Sequence, residues 1–211
     1  MTADPTRIRR LPEKAVSALE TIHQILDEGF ICHVAYLAGD RPVVIPTLYA
    51  RAGNTIILHG STAAGMTRAV RRGSPLSIAI TLIDGVVVAR SGFNSSANYR
   101  SVVIHGHGRI LQGQEHIDAL DRTVEALIPG RLRELRRPTE AEIRQTSTIE
   151  VPLEHVSAKV STGPPEDDES DMDAGVWAGV IPLSIAAGAP VPAPHLPAGI
   201  KLPDYLDPYR R

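Results

Sequence analysis

The chain has 211 residues, with 22 Lys and Arg against 24 Asp and Glu and a formal net charge of −2. That balance supplies no global attraction to nucleic acid or an anionic membrane, and no apolar run is long enough for a membrane-spanning helix. A hydrophobic content of 43% over this length suits one domain with a sizeable core and an appended tail.

The first ten residues are basic but carry no apolar stretch of a secretory signal. Residues 12–28 are predicted helical: Val16, Leu19, Ile22, Ile25 and Leu26 recur at helical spacing, with Pro12 in the first turn and Gly29 as a stop. A strand over 30–37 turns at Ala38-Gly39-Asp40-Arg41 into a second over 42–52. Pro46 inside that run implies a bulge or an unpaired edge position, where a ligand could approach. The single cysteine, Cys32, lies in an apolar run and reads as a small buried residue rather than a nucleophile. Gly53-Asn54 signals a hairpin into a third strand, 55–59.

A short helix over 62–72 follows and stops at Gly73. Strands are expected over 76–83, 86–91 and 99–111, the first two joined in a hairpin at Asp84-Gly85. Helices over 115–127 and 139–144 precede a last strand region, 148–160, split near Pro152. Strands joined by short hairpins, with helices at edges and crossovers, favour an antiparallel barrel over a parallel doubly wound sheet. The domain division is therefore 1–162 for the barrel and 163–211 for an acidic, then proline-rich extension. The acidic run from Glu166 to Asp173 reads as solvated. Trp177, the only tryptophan, marks a docking point where the extension wraps the barrel or a second subunit.

Two segments carry candidate chemistry. In 55–70 a strand breaks into a small polar loop and opens a helix, a natural seat for an anion. Gly60 and Gly65 permit close backbone approach, Ser61, Thr62 and Thr67 add hydroxyls, and Arg68 adds a charge suited to phosphate. The same pattern fits an ordinary capped helix after a strand. In 89–104, Arg90 and Arg100 could serve anions, while Asn98, Tyr99 and Ser101 could bond a heteroaromatic edge; a plain polar hairpin loop is the alternative. His105 and His107 share one strand face without a third ligand at a telling spacing, so no metal site is assigned. His23 and His33 read as structural, whereas His59 ends the strand feeding the polar loop. No G-x-S-x-G elbow, Walker loop, dinucleotide fingerprint or paired-cysteine zinc motif occurs.

The runs Leu58-His59-Gly60-Ser61, Asp84-Gly85-Val86-Val87-Val88-Ala89-Arg90-Ser91 and Asn98-Tyr99-Arg100-Ser101-Val102-Val103 resemble the pyridoxamine 5′-phosphate oxidase-like flavoproteins. The branch they most resemble includes nitroimidazole reductase-type proteins, as do Lys159-Val160-Ser161-Thr162-Gly163-Pro164-Pro165-Glu166-Asp167-Asp168 and Trp177-Ala178-Gly179-Val180. The resemblance implies a mostly β fold with flanking helices, an antiparallel split β-barrel of FMN-binding type, and a homodimer with FMN at the subunit interface. It implies a phosphate seat at His59, Gly60, Ser61, Thr62, Met66, Thr67 and Arg68. The flavin ring would lie along Ile45-Pro46-Thr47, with contributions from Ser91, Tyr99, Arg100 and Ser101.

The oxidase's second-strand arginine is replaced here within Val43-Val44-Ile45, its loop lysine gives way to Met66 and Arg68, and its C-terminal Trp–Arg motif is missing. The expectation is a cytoplasmic FMN-dependent oxidoreductase acting on a small organic molecule other than pyridoxamine phosphate, with His59 protonating the substrate. It would have no nucleic-acid or membrane partner. The alternative is a non-catalytic flavin- or haem-binding carrier or sensor, with His59, His105 and His107 as haem-ligand candidates.

Overall fold

A computed structural model describes residues 6–207 and 209, so the start of the basic N-terminal stretch, Pro208 of the tail and the last two arginines lie outside the described residues. The strands are β1 (Ala15–Val16), β2 (Ile31–Ala38), β3 (Arg41–Ala52), β4 (Thr55–Ser61), β5 (Pro75–Val88), β6 (Ser96–His107), β7 (Arg109–Ile110), β8 (Thr146–Pro152), β9 (His155–Ser161) and β10 (Gly179–Pro182). The α-helices are α1 (Leu19–Glu28), α2 (Gly65–Arg71), α3 (Gly113–Leu127) and α4 (Glu140–Gln145). One sheet runs β1-β9-β6-β5-β2-β3-β4-β8-β7, with β10 added on β5. All its pairings are antiparallel, and it curls into the split barrel expected from the sequence.

Strand alternation places the core. Cys32, Val34 and Tyr36 of β2, Leu76, Ile78 and Ile80 of β5, Val102 and Ile104 of β6, and Ile149 and Val151 of β8 all turn inward. Ile22, Ile25 and Leu26 of α1 and Met66, Ala69 and Val70 of α2 close the barrel. Each such side chain contributes about 1.5–3 kcal/mol on burial. Cys32 is fully buried, and desolvation pushes its thiol up to about 12, in keeping with a structural residue.

β3 is the corner strand. Its residues 41–48 pair with β2, and pairing with β4 begins only at Tyr49. Pro46 stands opposite His33 in an unbroken register, so it sits at an edge and makes no bulge. The hairpin at 53–54 and the split near Pro152 occur as expected.

Five local expectations are corrected. Residues 12–28 are not one helix. Pro12–Lys14 form a single 3-10 turn, and β1 then pairs with Lys159–Ala158 on the sheet edge before α1 starts at Leu19. Long-range ladder bonds, with Lys14 Nζ donating to Ser161 Oγ at 3.1 Å, override the local periodicity. The second helix begins at Gly65 rather than residue 62. Asp84-Gly85 is not a hairpin: β5 runs through it with a register shift, because β6 pairs along one side and β10 along the other. Gly85 suits the close approach there, since a Cβ would lie 3.0 Å from the Ile181 carbonyl of β10. The acidic run is not uniformly solvated either: the Asp167 side chain is 2% exposed.

The strand expected over 99–111 breaks at Gly108. A Cβ there would fall 2.6 Å from Ile149 Cγ2 and 3.2 Å from Val70 Cγ1. Gly108→Ala is expected to destabilise the protein by about 1–3 kcal/mol through overpacking. A lowered urea midpoint with an unchanged m-value is the signature; an unchanged midpoint would count against this packing.

Candidate functional site

The residues singled out from sequence fall into three places. The first is the outer face of the sheet. Pro46, Tyr99 and Ser101 share it, linked across the strands by the registers Pro46–His33, His33–Ala79 and Ala79–Val103 and by Thr81–Ser101. Ile31, Leu37, Val44 and Ile83 lie exposed on the same face, and so does His33, which is therefore not the structural core residue expected from its apolar run. Thr47 is one residue out of phase and turns to the barrel side.

Arg100 also turns away from the outer face. Its guanidinium binds Asp84 at 2.7 and 2.9 Å and Glu28 at 2.5 and 2.8 Å, tying the end of α1 to the β5 bulge. It is therefore engaged internally rather than held ready for a phosphate. The Arg100 hydrogen bond holds the Glu28 carboxyl below the ordinary carboxylate range. A lowered folded-state pKa gives stability that is full above the unfolded carboxylate pKa and lost as pH falls through the folded one. Glu28 is more than half exposed, so the effect is on the order of 1 kcal/mol. Arg100→Ala is expected to lose that much at pH 7 and to show a shallower fall between pH 5 and 3 in urea titrations; parallel pH curves would sink the assignment.

Ser91 and Arg90 are likewise engaged, Ser91 within its own loop and Arg90 by a distant carboxylate. Ser91 Oγ accepts from Asn94 N at 3.1 Å, and Arg90 is bound by Asp167 through both its backbone N–H and its guanidinium, each at 2.6 Å.

The second place is the turn between β4 and α2. Gly60 pairs with Ser147 on β8. Met66 and Thr67 are buried, Met66 in the core and Thr67 donating its hydroxyl to Ser61 O at 3.0 Å. Gly65 lets α2 approach Tyr36, whose hydroxyl would lie 2.7 Å from a Cβ, so that glycine serves packing. Ser61 and Arg68 are exposed and Thr62 half-buried, so these three side chains remain available to a ligand. Arg68 donates to the Ala63 carbonyl, and Thr62 N donates to Gln145 O at 3.0 Å, which pins the turn.

The third place holds His59 apart from the others. Strand alternation sends Ile57 and His59 outward from the barrel toward α3, where Ile57 packs with Ala50, Leu111 and Ala119. His59 lies opposite Thr148 on β8. It lines a cleft of about 530 Å³ between the sheet, α3 and the segment after it. The walls are apolar: Leu120 and Val124 from α3, then Leu132, Leu135 and Pro138. Arg136, Arg137, Asp121 and Glu142 add charge to the lining.

His59 Nδ1 is buried without a hydrogen-bond partner among the described residues. Burial lowers its pKa, so the imidazole is neutral near pH 7. A buried nitrogen without a partner is costly. Nearby, His116 shows the contrasting case: Nδ1 meets Thr148 Oγ1 at 2.7 Å and Nε2 meets Ile143 O at 3.2 Å.

The C-terminal segment braces the cleft wall. Tyr205 donates to Glu134 at 2.8 Å and accepts from Arg131 at 3.0 Å, and Tyr209 donates to Leu127 O. Glu125 accepts from the Gly130 and Leu132 amides. Neither this brace nor the roles of His116, Asp121, Arg136 and Arg137 was read from sequence. In that stretch the sequence predicts only the helix over 139–144, which the Thr139–Glu142 capping box starts.

The other histidines differ. His105 bonds Ser77 Oγ at 2.9 Å and faces His155 across β9, and His107 is exposed. No group of three or more potential metal-ligating side chains occurs among the described residues. No helix among them is long and apolar enough to cross a membrane.

Residues 19–160 match the family model described as pyridoxamine 5′-phosphate oxidase. Among solved structures, the FAD and haem binding protein from Mycobacterium smegmatis is 36% identical, with a TM-score of 0.89 over 92% of this chain and 96% of that one. The flavocytochrome Anf3 from Azotobacter vinelandii is 32% identical, with a TM-score of 0.93 over 99% and 97%. A Bacteroides thetaiotaomicron protein assigned to 5-nitroimidazole antibiotic resistance shares the fold at 18% identity and a TM-score of 0.58, covering 69% of this chain and 86% of that one. No curated protein sequence matches.

Proposed function

The chain belongs to the pyridoxamine 5′-phosphate oxidase family, and on that footing we propose that it is a flavin- and haem-binding oxidoreductase acting on a small organic molecule. The observation that carries the reading is His59: a neutral imidazole that lines an apolar cleft and whose Nδ1 has no hydrogen-bond partner among the described residues. A neutral imidazole offers a lone pair to iron. The cleft volume falls in the range of about 300–1,000 Å³ usual for small-molecule sites.

The flavin belongs elsewhere, on the outer sheet face. Pro46, Tyr99 and Ser101 would seat the ring, and Ser61, Thr62 and Arg68 would bind phosphate. The sequence alone led to FMN; FAD is the form proposed here, in line with the cofactor named for the Mycobacterium smegmatis protein. Exposed Ile31, Leu37, Val44 and Ile83 on that face support a homodimer that covers it. A cytoplasmic location is proposed from the free cysteine and even charge. Bound flavin and haem supply the electron transfer; this chain's residues bind and orient them, and the apolar walls of the cleft exclude water.

A visible spectrum of the purified protein tests the reading. A Soret band together with a flavin doublet, FAD in the acid supernatant by mass, and a dimer by sedimentation are expected. A colourless protein that takes up neither cofactor on titration would overturn it. Bound flavin that no nicotinamide reductant reduces would favour the carrier over the enzyme.

A further inference from the structure

The charged mouth of the His59 cleft carries an inference that rests on the haem reading and deepens it. Arg136 and Arg137 follow one another at the cleft, and each is held by a carboxylate that also lines it. Arg136 grips Glu142 in a two-point pair at 2.6 and 2.8 Å, and Arg137 meets Asp121 at 2.8 Å. Both arginine side chains are largely exposed, 67% and 80%. Exposed pairs of this kind contribute little to stability and exchange partners readily. The four charges cancel, so the mouth is neutral as it stands.

The two acids are not equivalent. Glu142 also accepts from the Thr139 amide at 2.7 Å as part of the α4 capping box, so it keeps a partner when Arg136 turns away. Asp121 has Arg137 as its one hydrogen-bond partner among the described residues. The remaining lining is apolar apart from His59, Thr123 and Thr146.

We propose that Arg136 and Arg137 are the carboxylate receptors of this cleft, held in reserve by Glu142 and Asp121. The ligand class it selects is a flat apolar ring with two carboxylates on one edge, which exchange for the protein's own. Planar forked donors suit carboxylates, and the exchange replaces each arginine's pair without leaving either arginine bare. Only Asp121 is left to water, which it reaches at the cleft mouth.

The test compares haemin with its dimethyl ester by absorbance titration of haem-free protein. Wild type is expected to bind the diacid at least tenfold more tightly than the diester. The Arg136→Ala/Arg137→Ala variant is expected to lose that preference through weaker diacid binding, with the diester unchanged. Asp121→Asn removes one competitor and is expected to tighten the diacid several-fold. Circular dichroism and urea midpoints check that the variants fold. Equal affinity for diacid and diester, or parallel shifts of both in the variants, overturns the proposal and leaves the haem reading standing. Failure of both porphyrins to bind overturns the two together.

Discussion

His59→Leu is expected to abolish the Soret band of the purified protein while the flavin absorbance and the dimer persist. The same substitution should make the haem-free protein more stable. His59 Nδ1 is buried without a partner among the described residues, and an unsatisfied buried polar group costs about 1–3 kcal/mol. Leucine fills a comparable space beside Leu120, Val124 and Leu135 with no such cost. At the low end this raises Tm of the haem-free protein by roughly 2–4 °C for a chain of this length. A gain in stability coupled to a loss of ligand is what a binding residue shows and a packing residue does not. His116→Leu is the contrast. Both its nitrogens are bonded, so it should destabilise the protein, by about 1–3 kcal/mol. Retention of haem by the His59 variant, or a fall in its stability equal to that of the His116 variant, would remove the basis for the cleft's assignment.

Asp167→Ala is expected to lower Tm by roughly 4–8 °C, equivalent to about 2 kcal/mol. Asp167 is the buried fastener of the segment that returns along β5. Its carboxylate takes the Arg90 amide and guanidinium at 2.6 Å each, while Asn98 Nδ2 donates to Gly163 O at 3.0 Å on one flank. On the other flank β10 pairs with 85–88, and Leu183 N donates to Asp84 O. Removing the carboxylate leaves the Arg90 groups without their partner and loosens the strap between these points. Proteinase K should then cut within 164–178 before the barrel unfolds. Asp168→Ala, one residue on and exposed, should stay within about 0.5 kcal/mol of wild type. Equal behaviour of the two variants in thermal melts and proteolysis would refute the role given to Asp167.

Much of the fold was legible because the strand signals are local. Alternation in β2 and β5, the Gly53-Asn54 turn and the break near Pro152 each depend on neighbours a few residues apart. Where the reading failed, a distant partner intervened. Asp84-Gly85 has hairpin composition, yet β10, about a hundred residues later in sequence, pairs across it and keeps β5 continuous. Val16 fits a helical stripe, yet the β9 edge draws it into a strand.

The candidate site divides in the same way. Sequence was enough to single out His59 and the Ser61–Thr62 turn, and the family resemblance pointed to Pro46, Thr47, Tyr99 and Ser101; only the strand registers showed that Pro46, Tyr99 and Ser101 share a face while Thr47 turns from it. It also led to an antiparallel barrel. Folding alone decided which polar groups remain free: Glu28 and Asp84 converge on Arg100, Ser61 O takes the Thr67 hydroxyl, and nothing among the described residues reaches His59 Nδ1. Whether a polar side chain is satisfied depends on atoms brought together from far along the chain, and no local pattern encodes that.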